Sequence, residues 1–266
     1  MSTAPIDPRA GVAEIEARMR GFACAPDALA DRVVLVTGAS RGFGRAVAID
    51  AAAAGATVVL SGRDPDALAG VYDHIVGLGG AEPMLLHLDQ LGATVDDYAT
   101  VAGALDERFG RLDGLVHAAA LLGELATFAS YSPVEWARVM QVNVNSVFLM
   151  TQALVRQLHR SKDASVVFVS DALGRQGRAY WGAYAASKFA LEGMMQVMAH
   201  EFAQTPSFRA NSLDPGPLRT RLRAQAYPAE DPSLLTDPAR VTPAVTFLLS
   251  GASRGVTGKA LTAPTD

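Results

Sequence analysis

Residues 32 to 64 read RVVLVTGASRGFGRAVAIDAAAAGATVVLSGRD. A β-branched run over 32 to 38 ends in a glycine, Gly42 and Gly44 follow, an Ala-rich helical segment comes next, and a second β-branched run fills 57 to 62. Strands buried on both faces lose the apolar–polar alternation, so near-continuous Val and Leu on either side of a helical segment predicts a parallel βαβ unit. Glycines at the strand-to-helix turn let backbone N–H groups at a helix N-terminus meet a phosphate. A glycine triplet alone is equally a tight turn without a ligand. Its place directly after the first strand gives the phosphate reading its weight.

The same alternation continues outward. MLLHLD (84 to 89), GLVHAA (114 to 119), SVVFVS (165 to 170), FRANSLD (208 to 214) and KALTAP (259 to 264) bring the count to seven strands, with six helical stretches between them. The predicted fold class is α/β, a Rossmann-like doubly wound parallel sheet with helices on both faces, in a single domain over 31–266. The first, second and fifth runs are the most apolar and are expected near the middle of the sheet. Residues 1–30 stand outside this rhythm: Pro5, Pro8 and Pro26 bracket one helix around VAEIEARMRG, expected as an N-terminal appendage packed on the body. The turn-rich stretch from 213 to 240 is long for a compact domain, and its part from about 215 to 240 reads as a substrate lid.

Half of the 266 residues are hydrophobic, enough for one large α/β domain. The formal charge of −4 leaves no basic excess, which argues against a nucleic-acid or anionic-membrane partner and for a small molecule. No apolar run approaches the roughly 20 residues that span a bilayer. Cys24, the single cysteine, has no disulfide partner within the chain. The stretch MSTAPIDPRAGVAEIEARMRG lacks the apolar core of a signal peptide, so the cytoplasm is the expected compartment. His117 has no second ligand at a metal-binding spacing and reads as a strand-end imidazole. Met194, Met195 and Met198 read as core.

Tyr184 and Lys188, in YAASK (184 to 188), fall at i and i+4 and share one helix face, where an ammonium favours the phenolate of a nearby Tyr. TGASRGFG and YAASK together resemble the TGxxxGxG and YxxxK signatures of the short-chain dehydrogenases/reductases. The likeness runs over about residues 30 to 264 and includes LDP-G before the lid and VNVNS at 142 to 146. The stretch GRQGRAYWGAYAASKFALEGMMQ is further similar to a bacterial subgroup of oxidoreductases with no assigned substrate.

That resemblance implies hydride transfer between a nicotinamide cofactor and a carbonyl or alcohol. Tyr184 is then the acid/base, Lys188 its activator and a ligand of the nicotinamide ribose, and Asn143 the group that orders a water in the proton relay. The implied cofactor site comprises Gly38, Ser40, Arg41, Gly42, Phe43 and Gly44 in the loop, Asp89 on the adenine amino group, Ala118 and Ala119 at the end of the fourth strand, and Pro215, Gly216 and Thr220 around the start of the lid. Gly62 stands where NAD-preferring relatives carry an acid, and Arg63 follows it. Arg63 and Arg41 suit a 2′-phosphate, so NADP(H) is expected over NAD(H), with Asp64 weighing against. A homodimer or homotetramer built on the helices of 133–160 and 181–204 is implied as well.

The chain also departs from the family pattern. HAAA (117 to 120) stands where most relatives have NNAG, placing Ala118 for an Asn and Ala120 for a close-approach Gly. Asp171 stands where relatives place the Ser that bonds the substrate oxygen, and neighbouring Ser170 would point to the other face of a regular strand. Asp171 has three readings: ionised and opposed to the phenolate, paired with Lys188, or protonated and donating as the Ser would. A protonated Tyr184 serves carbonyl reduction in any of them. Two functions follow: an NADP(H)-dependent carbonyl reductase, or a catalytically impaired NADP(H)-binding or oligomeric scaffold. Arg219, Arg221 and Arg223 in the lid read as an exposed charged face or as an attractor for an acidic substrate.

Overall fold

The computed structural model describes residues 7–264, so Pro5 lies outside the described residues. All seven runs expected as strands pair in parallel in the order β3-β2-β1-β4-β5-β6-β7. They are β1 (Val33–Thr37), β2 (Thr57–Gly62), β3 (Met84–His87), β4 (Gly114–His117), β5 (Ala164–Val169), β6 (Phe208–Asp214) and β7 (Ala260–Thr262). The helices are α1 (Val12–Arg20), α2 (Gly42–Ala53), α3 (Pro65–Gly77), α4 (Val95–Phe109), α5 (Pro133–Met140), α6 (Ser146–His159), α7 (Gly182–Glu201), α8 (Arg221–Ala226) and α9 (Thr242–Leu249).

Alternation along β1 explains its unbroken apolar sequence. Val34 and Val36 join one core with residues of α2 and α9, while Val33 and Leu35 join a second with residues of α4, α6 and α7. Both faces are therefore dry. β1, β2 and β5, the runs expected near the middle, each have a neighbour on both sides. Met195 and Met198 are buried in the second core and Met194 packs against it. The chain moves outward from β1 through β2 to β3, then returns to place β4 on the other flank of β1. This reversal opens a crevice at the carboxyl ends of β1 and β4, where ligands of such sheets bind.

Three differences from the sequence reading bear on the cleft. β3 ends at His87, so Asp89 lies in the turn beyond it, and β4 ends at His117, so Ala118 and Ala119 are loop residues. The cause at β4 is Thr37, whose Oγ1 accepts from the N–H of Ala118 at 3.1 Å and of Ala119 at 3.2 Å, a side chain replacing the strand ladder. The long helix before β5 is interrupted by a π turn, Gln141–Asn145, between α5 and α6. Such turns recur at functional sites because they rotate side chains out of register.

The N-terminal segment lies along β7. Ile15 and Met19 of α1 are buried in the first core, Ala260 N–H donates to the Pro8 carbonyl at 3.0 Å, and Thr262 N–H donates to Glu16 Oε1 at 2.7 Å. These bonds occupy donors of an edge strand that would otherwise be free to pair with another chain.

His117 is buried in β4, with Nε2 2.8 Å from Thr151 Oγ1 and its ring stacked on Phe168 at 5.3 Å. Burial pushes its pKa down to about 3. In the unfolded chain the imidazole protonates near its ordinary value of about 6.5, so the unfolded state alone takes up a proton between these values. The stability held by neutral His117 is thus complete above about pH 6.5 and is lost as pH falls toward about 3. His117→Asn, which restores the Asn of NNAG, is expected to reduce the stability lost between pH 7 and pH 5 by about 2 kcal/mol. Urea unfolding of both proteins at the two pH values measures this, and identical losses would exclude His117 as the cause.

Candidate active site

A cleft of about 830 Å³ lies over the carboxyl ends of the strands, bordered by the glycine loop, the end of β2, the start of α7 and the lid. Three glycines shape its floor for different reasons. A Cβ on Gly38 would lie 2.8 Å from Ala119 Cα, and one on Gly44 would lie 2.4 Å from the Gly38 carbonyl oxygen. Gly42 has more room but takes φ +56°, a left-handed conformation that costs an L residue roughly 1–2 kcal/mol. α2 begins just after Arg41 without a side-chain cap, so its first N–H groups have no side-chain acceptor. Ser40, Arg41 and Phe43 border the cleft with the glycines.

Arg63, exposed just beyond β2, and Arg41 border the same end of the cleft. Asp64 is not among the bordering residues. Its Oδ1 caps α3 by accepting from Ala67 N–H at 3.1 Å, while Oδ2 makes a loose, half-exposed contact with Arg41 at 3.9 Å. Asp89 borders the cleft and accepts from Leu91 N–H at 3.2 Å. Ala118, Ala119 and Ala120 line the side nearest β4. Pro215 and Gly216 follow β6, with Gly216 at φ +72° donating to Asp214 Oδ1 at 2.8 Å. Thr220 caps α8 through Arg223 N–H at 3.2 Å, and its methyl stands over Gly42, 3.6 Å from where a Cβ would be.

Tyr184 and Lys188 are both buried near the start of α7. The Tyr184 hydroxyl donates to Asp171 Oδ2 at 3.3 Å, and Asp171 Oδ1 accepts from Leu173 N–H at 2.9 Å. Asp171 forms no ion pair with Lys188. The lysine Nζ donates to the Val169 carbonyl at 2.7 Å and lies 5.4 Å from the centre of the Tyr184 ring. β5 ends at Val169, although Ser170 N–H still donates to the Leu213 carbonyl of β6 at 2.8 Å, and Ser170 and Asp171 both border the cleft. Ser170 is buried with its hydroxyl unpartnered among the described residues. Asn143 sits in the π turn and does not border the cleft. Its amide is spent on the Leu121 N–H (2.8 Å), the Leu121 carbonyl (2.9 Å) and Ser187 Oγ (3.0 Å), tying the loop after β4 to α7.

Burial pushes the Tyr184 phenol well above its ordinary pKa, and the Asp171 carboxylate adds to this through its field and its hydrogen bond, with Asp214 contributing less. Burial also pulls the Lys188 ammonium down to about 8, against the opposing fields of Asp171, Asp214 and Glu192. Asp214 itself is raised by burial, while the hydrogen bond from Gly216 N–H works the other way. Sequence reasoning passed over Asp214 as part of a loop motif. The signal was an acid at the very end of a cleft-facing strand.

It also passed over Arg178, Trp181 and Tyr227, which border the half of the cleft beyond Tyr184 with Leu122, Leu173, Leu222 and Ala226. Ring centres step from Tyr184 to Trp181 over 5.8 Å and from Trp181 to Tyr227 over 5.7 Å. Of the three lid arginines, Arg219 pairs with Asp237 and does not reach the cleft. Arg223 holds Glu230 through two bonds of 2.6 and 2.7 Å and stacks 3.8 Å over the Tyr227 ring. Arg221 borders the cleft and is exposed. Among the described residues there is no cluster of three or more side chains able to hold a metal ion, and no helix long and apolar enough to cross a membrane.

The glycine loop at the β1–β4 reversal and the buried Tyr184–Lys188 pair stand in one cleft, and the model of the short chain dehydrogenase family matches residues 32–231. The chain belongs to the short chain dehydrogenase family. It is 47% identical over 232 residues to the uncharacterized oxidoreductase YciK of Escherichia coli (strain K12), a match covering 87% of this chain and 91% of that protein. Among solved structures, a short chain dehydrogenase from Pseudomonas syringae superposes with a TM-score of 0.89 at 44% identity, over 91% of this chain and 98% of that one. A short chain dehydrogenase from E. coli CFT073, complexed with NADPH, gives a TM-score of 0.87 at 46% identity over 90% of this chain and 98% of that one. This dehydrogenase is thus an oxidoreductase, and its fold is that of its structural relatives.

Proposed function

We propose that the protein is an NADP(H)-dependent reductase that converts a carbonyl to an alcohol, with Tyr184 as the acid. The observation that carries this reading is the hydrogen bond from the Tyr184 hydroxyl to Asp171, in a buried setting that holds the phenol protonated. An alkoxide is a far stronger base than a phenolate, so even a Tyr with a raised pKa passes its proton downhill to a reduced carbonyl. Lys188 steadies the phenolate left behind, and the Asp171 field drives it to take up a proton again. Alcohol oxidation needs the phenolate at the outset and is disfavoured by the same field. Asn143 acts as a positioning residue through its hold on Leu121 and Ser187.

The residues present fit the cofactor. The glycine loop and uncapped start of α2 would receive its pyrophosphate, Arg41 and Arg63 a 2′-phosphate, Asp89 the adenine, Lys188 the nicotinamide ribose, and Ala118, Ala119, Pro215, Gly216 and Thr220 would line its path. When bound, NADPH supplies the hydride. The use of Asp64 as a cap, and the NADPH held by the relative from E. coli CFT073, support NADP(H) over NAD(H). A cytoplasmic setting fits the sequence. Exposed Val134, Phe148, Phe189 and Val197 on α5, α6 and α7 support a homodimer or homotetramer through those helices.

NADPH is expected to bind at least about tenfold tighter than NADH by fluorescence titration, with Arg63→Ala removing most of the difference. Equal affinities in the wild type would overturn the cofactor assignment. Light scattering at micromolar concentration should give two or four copies, and a monomer would remove the assembly. Asp171→Ser should shift the rise of alcohol oxidation to lower pH, by about tenfold in rate for each pKa unit recovered on Tyr184. Tyr184→Phe should abolish turnover. Negligible and identical rates for wild type and both variants across a carbonyl panel, with NADPH still bound, would favour the scaffold reading.

A further inference from the structure

We propose that the cleft accepts a carbonyl compound with a flat apolar body and a carboxylate at the end remote from the carbonyl, and that Arg178 holds that carboxylate. The position of the carbonyl rests on the reading of Tyr184 as the acid. Beyond Tyr184, the rings of Trp181 and Tyr227 continue the wall in two steps, with Leu122, Leu173, Leu222 and Ala226 around them. A flat body lies against such a surface at little cost in polar desolvation.

Arg178 stands where this wall ends. Its Nη1 donates to the Tyr227 hydroxyl at 3.0 Å, and its remaining N–H groups have no partner among the described residues. No carboxylate of the described residues pairs with it, although two of the three lid arginines are taken up by lid acids: Arg219 by Asp237 and Arg223 by Glu230. A guanidinium has five donors in a planar fork that matches a carboxylate, and that of Arg178 is fixed at one nitrogen with the others free. Arg221 also borders the cleft, but no contact joins it to Trp181 or Tyr227, whereas Arg178 is bonded to the Tyr227 hydroxyl at the end of the wall.

The opposite end of the cleft sets the polarity. Asp171 accepts from Tyr184, and Asp214 borders the same space, so an anion next to the reacting carbonyl would meet two acids with one buried ammonium between them. A 2-oxo acid is therefore a poor fit, whereas an oxo acid with its charges far apart meets the acids with a neutral carbonyl and Arg178 with its anion. The Arg178–Tyr227 bond also ties the lid to the segment before α7, so a carboxylate on Arg178 sits at the seam between them.

The test is calorimetric titration with 4-(4-acetylphenyl)benzoate, its methyl ester and phenylglyoxylate. It is applied to the NADP⁺-loaded wild type, Arg178→Ala, Arg178→Lys and Tyr184→Phe, in which a bound ketone meets no hydride donor, and reduction with NADPH is assayed separately. Arg178 is exposed, so its truncation leaves the core intact. The acid is expected to bind the wild type about tenfold or more tightly than the ester, to lose this margin in Arg178→Ala, to regain part of it in Arg178→Lys, and to keep it in Tyr184→Phe. Phenylglyoxylate should bind weakest of the three. Equal affinity of acid and ester for the wild type, or an unchanged margin in Arg178→Ala, would overturn the proposal. Because binding is read without turnover, a wild type that prefers the acid yet reduces no ketone supports the anion site while removing the reductase reading.

Discussion

At the carboxyl end of β1 the backbones of two loops meet more closely than any side chain larger than hydrogen permits. A methyl on Gly38 would lie 2.8 Å from Ala119 Cα, and one on Gly44 would lie 2.4 Å from the Gly38 carbonyl. Both obstacles are backbone atoms and neither is a flexible side-chain tip, so nothing can yield without moving the main chain. This contact fixes α2 against the loop after β4 and so fixes the floor of the cleft. Thr37 completes the junction with its two bonds to Ala118 and Ala119. These go to backbone amides and do not depend on the side chains there, so HAAA keeps the fold of the loop while giving up the polar amide that NNAG supplies to it.

The second constraint is electrostatic. Lys188 is buried, and burial favours its neutral form; the fields of Asp171, Asp214 and Glu192 act against burial, and at about 8 its pKa leaves it cationic at neutral pH. Asp171 therefore acts in two directions. It opposes ionisation of Tyr184 directly and supports it indirectly by helping Lys188 hold its charge. At Tyr184 a hydrogen bond adds to the field of Asp171, whereas no bond joins Asp171 to the lysine. A Ser at this position would remove both effects.

The sheet was legible because each central strand carries its burial as an unbroken apolar run, and the glycine loop because its spacing is dictated by backbone contact. Readings that needed partners distant in the chain were less complete. Asp64 read as a rival to Arg63, yet its carboxylate caps α3. Ser170 and Asp171 read as strand neighbours, yet only Asp171 reaches Tyr184, while the Ser170 hydroxyl is buried without a partner among the described residues. The helix over VNVNS read as continuous because its apolar face runs through the π turn, which the pattern does not reveal. Asp214 was quoted within its motif without a role, because its influence on Lys188 arises only when β5, β6 and α7 converge.

The same distinction separates what the chain states about its cofactor from what it states about its substrate. Phosphates are met by backbone amides, and backbone geometry leaves a local trace in glycine spacing. The far half of the cleft is assembled from the segment before α7 and from the lid, joined where Arg178 meets Tyr227. Within the lid, Arg219–Asp237 and Arg223–Glu230 close the segment on itself, and Asp231 and Asp237 start its short turns as caps. The three lid arginines look alike in sequence, but two are neutralised by acids of the same lid, and the guanidinium at the aromatic wall, which no acid pairs, comes from another part of the chain. A count of lid charges thus points to the wrong arginines, because what decides which cation remains available to a ligand is the pairing achieved in three dimensions.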